Sequence, residues 1–242
     1  MATDIRDKDV IYHLRDKNKE LVTEWATKFQ PYQDNVKPSV GDIFLGAPAV
    51  DAIVCPSNSF GVNGGGGIEN QIYRHYGLGI LEQLQEVIEN EFEGEILVGQ
   101  AVVLSGLDRT TRNDKSDWSK MNDGNLIKFL IVAPTMRISQ SSRSTPNAYL
   151  AFRAVILAVR EHNRKNKQNK ITRVLMPGLG TSGAKMPPQR CAKQMLEAYE
   201  TFAVGLPTKK FRLRPSSHTE MLRDHIYMCL DEKVESKKVP NL

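Results

Sequence analysis

Residues 51–77 read DAIVCPSNSFGVNGGGGIENQIYRHYG, and the rest of the chain is organised around them. The stretch opens on a short apolar run, Ala52-Ile53-Val54-Cys55, and turns through Pro56-Ser57-Asn58-Ser59. It then places five glycines in seven residues, Gly61 and Gly64 to Gly67, before an amphipathic segment from Ile68 to Tyr76. That is the order of a buried strand, a glycine-rich loop and a helix start. Glycine tolerates φ > 0 and leaves backbone N–H groups unshielded, so the chain can wrap closely around a ligand. The first helical turn adds unpaired N–H groups and the positive end of a dipole. Together they predict an anion site, most often for phosphate. A flexible surface linker is the competing reading. The apolar strand and the amphipathic helix set tightly against both ends of the loop speak against it.

Working outward, 242 residues of which 40% are hydrophobic suffice for one large domain with a proper core. No run of 18 apolar residues occurs, so neither a membrane span nor a membrane partner is expected. The N-terminus, MATDIRDKDV, has charges where a secretion signal needs an apolar core, which points to the cytoplasm, with the nucleus also open. Cys55, Cys191 and Cys229 form an odd set without Cys-x-x-Cys spacing. This argues against a disulfide framework or a zinc site and fits a reducing compartment. His13, His75, His162, His218 and His225 show no metal-ligand spacing. No metal and no cofactor are expected. Lysine and arginine total 33 against 28 acids, a net charge of +5 that suits a small anionic ligand. The basic cluster Arg160, Arg164, Lys165, Lys167, Lys170 and Arg173 reads as a solvated helix C-terminus. It lacks interleaved aromatic residues for base stacking, so nucleic acid is not expected as a partner.

The periodicity predicts strands near 10–14, 36–45, 51–55, 99–105, 126–133 and 171–176. It predicts helices near 18–29, 68–76, 79–92, 145–163 and 187–202, with Gly41-Asp42-Ile43 inside the second strand. Residues 108–124 are polar and read as an exposed hairpin loop whose Trp118 covers a satellite patch. The last part reads as a weak strand at 211–213, a helix at 216–230 and a charged tail. Strands alternating with helices argue an α/β sandwich with a mixed sheet.

A second loop, Gly178-Leu179-Gly180-Thr181-Ser182-Gly183, is a literal GxGxxG between a strand and a helix. A Rossmann site would need a further parallel strand ending in an acid about 20 residues on. Here a helix runs into a basic, proline-containing segment instead, and neither loop has the GK[ST] of a P-loop. Both loops taken together give a better reading. Each follows a buried strand and precedes a helix, so each lies at the carboxyl edge of an open sheet, where ligands bind. Two such loops side by side suit a diphosphate with a nucleoside arm on each side. Asp42, at a strand end, could accept from an adenine amino group, and Asn58 could hydrogen-bond ribose hydroxyls.

The ordered set resembles the macro domain, the ADP-ribose-binding module. The matching runs are Gly41-Asp42-Ile43, Asp51 to Val54, Asn58, Gly64 to Gly67 with Ile68, and Gly178 to Gly183. The likeness is strongest to a divergent branch, through Pro56 to Gly61, Ala133 to Arg137 and Pro177 to Thr181. That branch includes fungal and bacterial proteins assigned or suspected to be ADP-ribose 1″-phosphate phosphatases. The resemblance covers about residues 10–204. It implies a three-layer α/β/α sandwich with a mixed central sheet. The chain would be a single macro-like domain over 1–242, with 205–242 a C-terminal extension packed on the core.

The resemblance also implies roles. Asp42 and the Ile43 backbone would hold adenine, and Asn58 the distal ribose. Gly64, Gly65, Gly66, Gly67 and Ile68 would line the distal ribose and diphosphate. Gly178, Leu179, Gly180, Thr181, Ser182 and Gly183 would wrap the phosphates, with Pro134 and Thr135 bordering the pocket. This sequence departs from the family at four places. Glu69 stands where many hydrolytic macro domains have Asp, and Cys55 replaces the first Asn of the common turn. Ser182 and Ala184 stand where the common second loop has Gly and an aromatic.

Hydrolysis at the 1″ position needs a positioned water and stabilisation of developing charge. The candidates are Glu69 as base and Asn58 as an orienting group, with Thr181 or Ser182 on a terminal phosphate. Against this, an acid in a first helical turn is favoured electrostatically anyway. Cys55 as a nucleophile competes with simple packing at a strand end. The expected reaction converts ADP-ribose 1″-phosphate to ADP-ribose and phosphate. The alternatives are a non-catalytic reader of ADP-ribose or a related nucleotide, and a hydrolase that removes ADP-ribose from proteins. Oligomeric state is not legible in the sequence.

Overall fold

The computed structural model describes residues 9–62, 67–106, 118–205 and 217–230. In chain order the strands are β1 (Ile11–Asp16), β2 (Val36–Val40), β3 (Ala52–Asn58), β4 (Val102–Ser105), β5 (Phe129–Met136) and β6 (Arg173–Met176). They form one sheet in the order β2-β1-β6-β3-β5-β4, in which β4 alone runs antiparallel to its neighbour. The helices are α1 (Lys19–Lys28), α2 (Gly67–Tyr76), α3 (Leu78–Phe92), α4 (Asn147–Lys165), α5 (Pro188–Ala198) and α6 (His218–Cys229).

The strands at the centre are apolar on both faces because both faces are covered. Ala52 and Val54 of β3 join one core with α1, α4 and α5, while Ile53 and Cys55 join the other with α2 and α3. β5 alternates the same way, with Phe129, Ile131 and Ala133 on the first side and Leu130 and Val132 on the second. The result is the expected three-layer α/β/α arrangement.

Local chemistry explains the element ends. Asn18 caps α1, its Oδ1 accepting from the Glu20 and Leu21 N–H groups at 3.0 and 3.3 Å. Pro188 opens α5, where no N–H is required. The α4 start has no side-chain cap of its own. Instead Gln194 of α5, fully buried, accepts from the Ala148 and Tyr149 N–H groups at 3.0 and 3.2 Å and donates to Thr145 O at 2.7 Å. The same Gln194 Nε2 donates to Met228 O of α6 at 2.9 Å, and Lys193 Nζ donates to Leu230 O at 2.7 Å.

Several boundaries differ from the sequence expectation. The second strand ends at Val40, so Gly41-Asp42-Ile43 lies beyond it. The cause is Arg15 of β1, which donates from Nε to Asp42 O at 2.6 Å, from Nη1 to Ser39 Oγ at 3.1 Å and from Nη2 to Leu45 O at 3.2 Å. A β-carbon on Gly41 would stand 2.2 Å from Arg15 Nη2, so glycine lets the guanidinium in and the chain turns off the sheet. The helix expected to run to 202 gives way after Ala198 to a π-helical turn, Tyr199–Val204. Trp118 begins a short 3₁₀ turn and packs edge-on against Phe44 and Tyr76, covering the second core as expected. The expected strand at 211–213, and most of the polar segment 108–124, lie outside the described residues.

Candidate functional site

β3, β5 and β6 are parallel, so their carboxyl ends open on one edge of the sheet. The segments that leave that edge enclose a cleft of about 590 Å³. β3 contributes Pro56, Ser57 and Asn58, and the α2 start contributes Gly67, Ile68 and Glu69. β5 contributes Thr135 and Met136, and the loop after β6 contributes Gly178, Gly180 and Ser182 to Lys185.

The start of α2, at Gly67, and the second glycine loop meet at this cleft. Gly67 has φ +71°, and a β-carbon on it would stand 3.8 Å from Ser182 Oγ. The second loop is tied down on both sides. Met186 N donates to Gly180 O at 2.8 Å, and Ser142 N donates to Ala184 O at 2.8 Å. Gly178 N donates to Asp16 Oδ2 at 3.1 Å. A β-carbon on Gly178 would stand 2.3 Å from Thr181 Oγ1 and 2.6 Å from Leu21 Cδ2, so the close approach requires glycine. Opposite, β3 and β5 shift register at Ser57/Asn58, leaving Thr135 as the extra residue of a bulge on the cleft wall.

Glu69 sits in the first turn of α2, and Ser57 Oγ donates to its Oε1 at 2.6 Å. The Tyr73 hydroxyl stands 3.4 Å from the same oxygen. Burial pushes the Tyr73 phenol far up, helped by neighbouring Cys55 and Glu69. Cys55 is fully buried, and burial followed by the Glu69 charge pushes its thiol well above the usual range. A thiol held protonated in this way is an inert packing group rather than a nucleophile.

Asn58 lines the cleft, and its amide is committed largely to its own turn. Nδ2 donates to Val62 O at 2.6 Å, while Oδ1 accepts from Phe60 N at 3.1 Å and Val62 N at 3.4 Å. Asp42 does not reach the cleft wall. Its Oδ1 accepts from the Phe44 and Leu45 N–H groups at 3.0 and 3.1 Å, and Lys17 Nζ lies 2.7 Å from its Oδ2. Burial alone would raise this carboxyl, but Lys17 and the two N–H groups bring it down to about 2.

Of the residues expected at the site, the cleft wall holds Asn58, Gly67, Ile68, Glu69, Thr135, Gly178, Gly180, Ser182 and Gly183. It does not hold Asp42, Ile43, Pro134, Leu179 or Thr181. Ile43 and Leu179 are buried in the two cores, each on the side opposite to the other. Gly64, Gly65 and Gly66 lie outside the described residues. The reading of the sequence missed Ser57, the run Ser139-Gln140-Ser141 and Lys185, all on the wall. The Ser-Gln-Ser run carried a usable signal, since it follows a third buried strand that would end at the same edge.

Among the described residues, no cluster of His, Cys, Asp and Glu could hold a metal ion, and no helix is long and apolar enough to cross a membrane.

No protein-family model and no curated protein matches the chain. Solved structures do. The macrodomain of Mycobacterium tuberculosis DarG is 22% identical with a TM-score of 0.48, covering 67% of this chain and 88% of its own. The Oceanobacillus iheyensis macrodomain with ADP is 19% identical with a TM-score of 0.44, covering 77% and 86%. The Trypanosoma brucei macrodomain in complex with ADP-ribose is 15% identical with a TM-score of 0.39, covering 62% and 52%. These three solved structures are macrodomains, and the chain is similar to them in fold.

Proposed function

We propose that the cleft binds ADP-ribose and that the protein hydrolyses ADP-ribose 1″-phosphate to ADP-ribose and inorganic phosphate. The observation that carries this is the convergence of the α2 start (Gly67, Ile68 and the Glu69 carboxylate) and the second glycine loop on one cleft at the carboxyl edge of β3, β5 and β6. The second loop and the first turn of α2 offer backbone N–H groups, and α2 adds its positive dipole end, which suits a diphosphate. The ordered macro-domain motifs of the sequence point to the same ligand. Glu69 takes the proton of the attacking water in this reading. Ser182, exposed on the cleft wall, is placed to donate to a terminal phosphate.

Calorimetry with ADP-ribose tests the pocket, and phosphate release from ADP-ribose 1″-phosphate tests the chemistry. Glu69→Gln is expected to lower kcat about 10²–10⁴-fold while keeping ADP-ribose affinity, the usual contribution of a general base. Unchanged turnover would remove Glu69 from the mechanism. Binding without turnover in the parent protein would favour a reader of ADP-ribose. Release of ADP-ribose from modified proteins, without phosphate release, would favour the protein-directed hydrolase.

A further inference from the structure

We propose that Ser57 is a positioning residue that, with Tyr73, clamps the Glu69 carboxylate in a fixed orientation at the cleft wall. The inference rests on the reading of Glu69 as the base. Ser57 is the penultimate residue of β3 and is only 2% exposed, yet it lines the cleft. Its hydroxyl donates to Glu69 Oε1 at 2.6 Å, within the short range of a hydroxyl bonded to an ionised carboxylate. Tyr73, 3% exposed, brings a second hydroxyl to within 3.4 Å of the same oxygen from one turn further along α2. Both groups therefore hold Oε1, from two different elements, and Glu69 cannot rotate freely as a first-turn acid on a solvated helix would.

The arrangement has an electrostatic consequence. Hydrogen bonds donated to a carboxylate favour its charged form. Among the described residues, the Cys55 thiol on β3 and the Tyr73 phenol on α2 interact with Glu69, and Lys185 lies on the cleft wall contributed by the second loop. Cys55 and Tyr73 stay neutral at working pH, since burial pushes both upward. Ser57 thus donates to the Glu69 carboxylate in a site walled by neutral groups on its β3 side.

The test uses Ser57→Ala, with Ser57→Thr as the conservative replacement that keeps the hydroxyl. Two quantities are read: the acid limb of the kcat/KM profile for ADP-ribose 1″-phosphate, and the Glu69 carboxyl titration by carbon NMR, assigned with Glu69→Gln. In Ser57→Ala, kcat is expected to fall about tenfold with KM within twofold, and the acid limb and the carboxyl titration to move up together by about one pH unit. Ser57→Thr is expected to restore both toward the parent values. A carboxyl titration in folded Ser57→Ala that coincides with the parent's overturns the clamp, whatever the activity. If the parent binds ADP-ribose without turning over, the hydrolase reading falls, while an upward titration in Ser57→Ala still supports the clamp. If Ser57→Ala fails to fold, Tyr73→Phe provides the same titration readout with a smaller expected shift, and no shift there overturns the proposal.

Discussion

Lys185 shows how the second loop spends stability on shape. Its φ is +58°, a left-handed conformation that costs an L residue roughly 1–2 kcal/mol. Its neighbours Ala184 and Met186 are buried and hydrogen-bonded in place, so the loop cannot relax around it. Lys185→Gly is therefore expected to raise the unfolding free energy by about 1 kcal/mol, read as a higher Tm. Gly178 should behave in the opposite way. Its missing β-carbon would collide with Thr181 Oγ1 and Leu21 Cδ2 at 2.3 and 2.6 Å. Gly178→Ala is expected to cost about 1–3 kcal/mol and to weaken ADP-ribose binding in calorimetry, because the loop must move to admit the methyl group. Residues of this kind were only half legible in the sequence. Glu69 could be placed in a first helical turn from its distance to the glycines. Its partner Ser57, 12 residues earlier, could not be paired with it until strand and helix were set side by side.

At the scale of elements, the strands were legible because apolar residues on both faces announce a sheet covered on both sides. The end of β2 was not, because it is decided by Arg15, a residue 27 positions away from the Asp42 carbonyl it binds. The start of α4 was legible from Thr145-Pro146, but not its cap, which is Gln194 from α5. One junction between elements gives a pH prediction. Asp51, just before β3, accepts at Oδ2 from Thr172 N, Thr172 Oγ1 and Arg173 N at 2.9, 2.8 and 2.9 Å, tying the start of β6 to that of β3. Burial alone would raise this carboxyl, but the Thr172 and Arg173 donors and the Arg173 charge lower it below its usual 3.8. A carboxyl lowered in the folded state stabilises fully above its unfolded value and loses that contribution as pH falls through the folded value. Asp51→Asn is expected to cost about 1 kcal/mol at pH 7, from the loss of charge-assisted hydrogen bonds. Urea midpoints of parent and variant should converge as pH falls below about 4.

At the scale of the whole molecule, the described helices and strands could be counted from the sequence, but the order β2-β1-β6-β3-β5-β4 could not. That order decides which loops become neighbours. It brings the loop after β6 beside the end of β3, although 120 residues separate Asn58 from Gly178 in the numbering. The C-terminal helix is held by backbone acceptors alone at two of its contacts, Met228 O from Gln194 and Leu230 O from Lys193. A chain ending at Gly205 is expected to lose about 2 kcal/mol in urea unfolding, roughly one for each hydrogen bond removed. The position of β6 has a consequence for how the protein comes into being. It is inserted between β1 and β3, so the first half of the chain leaves the ribosome with a gap in its sheet where β6 belongs. Such non-local parallel pairing is slow to form. The cleft at the carboxyl edge therefore cannot form in any nascent chain shorter than about the second glycine loop, and whatever binds there can stabilise the protein only after that loop has been made.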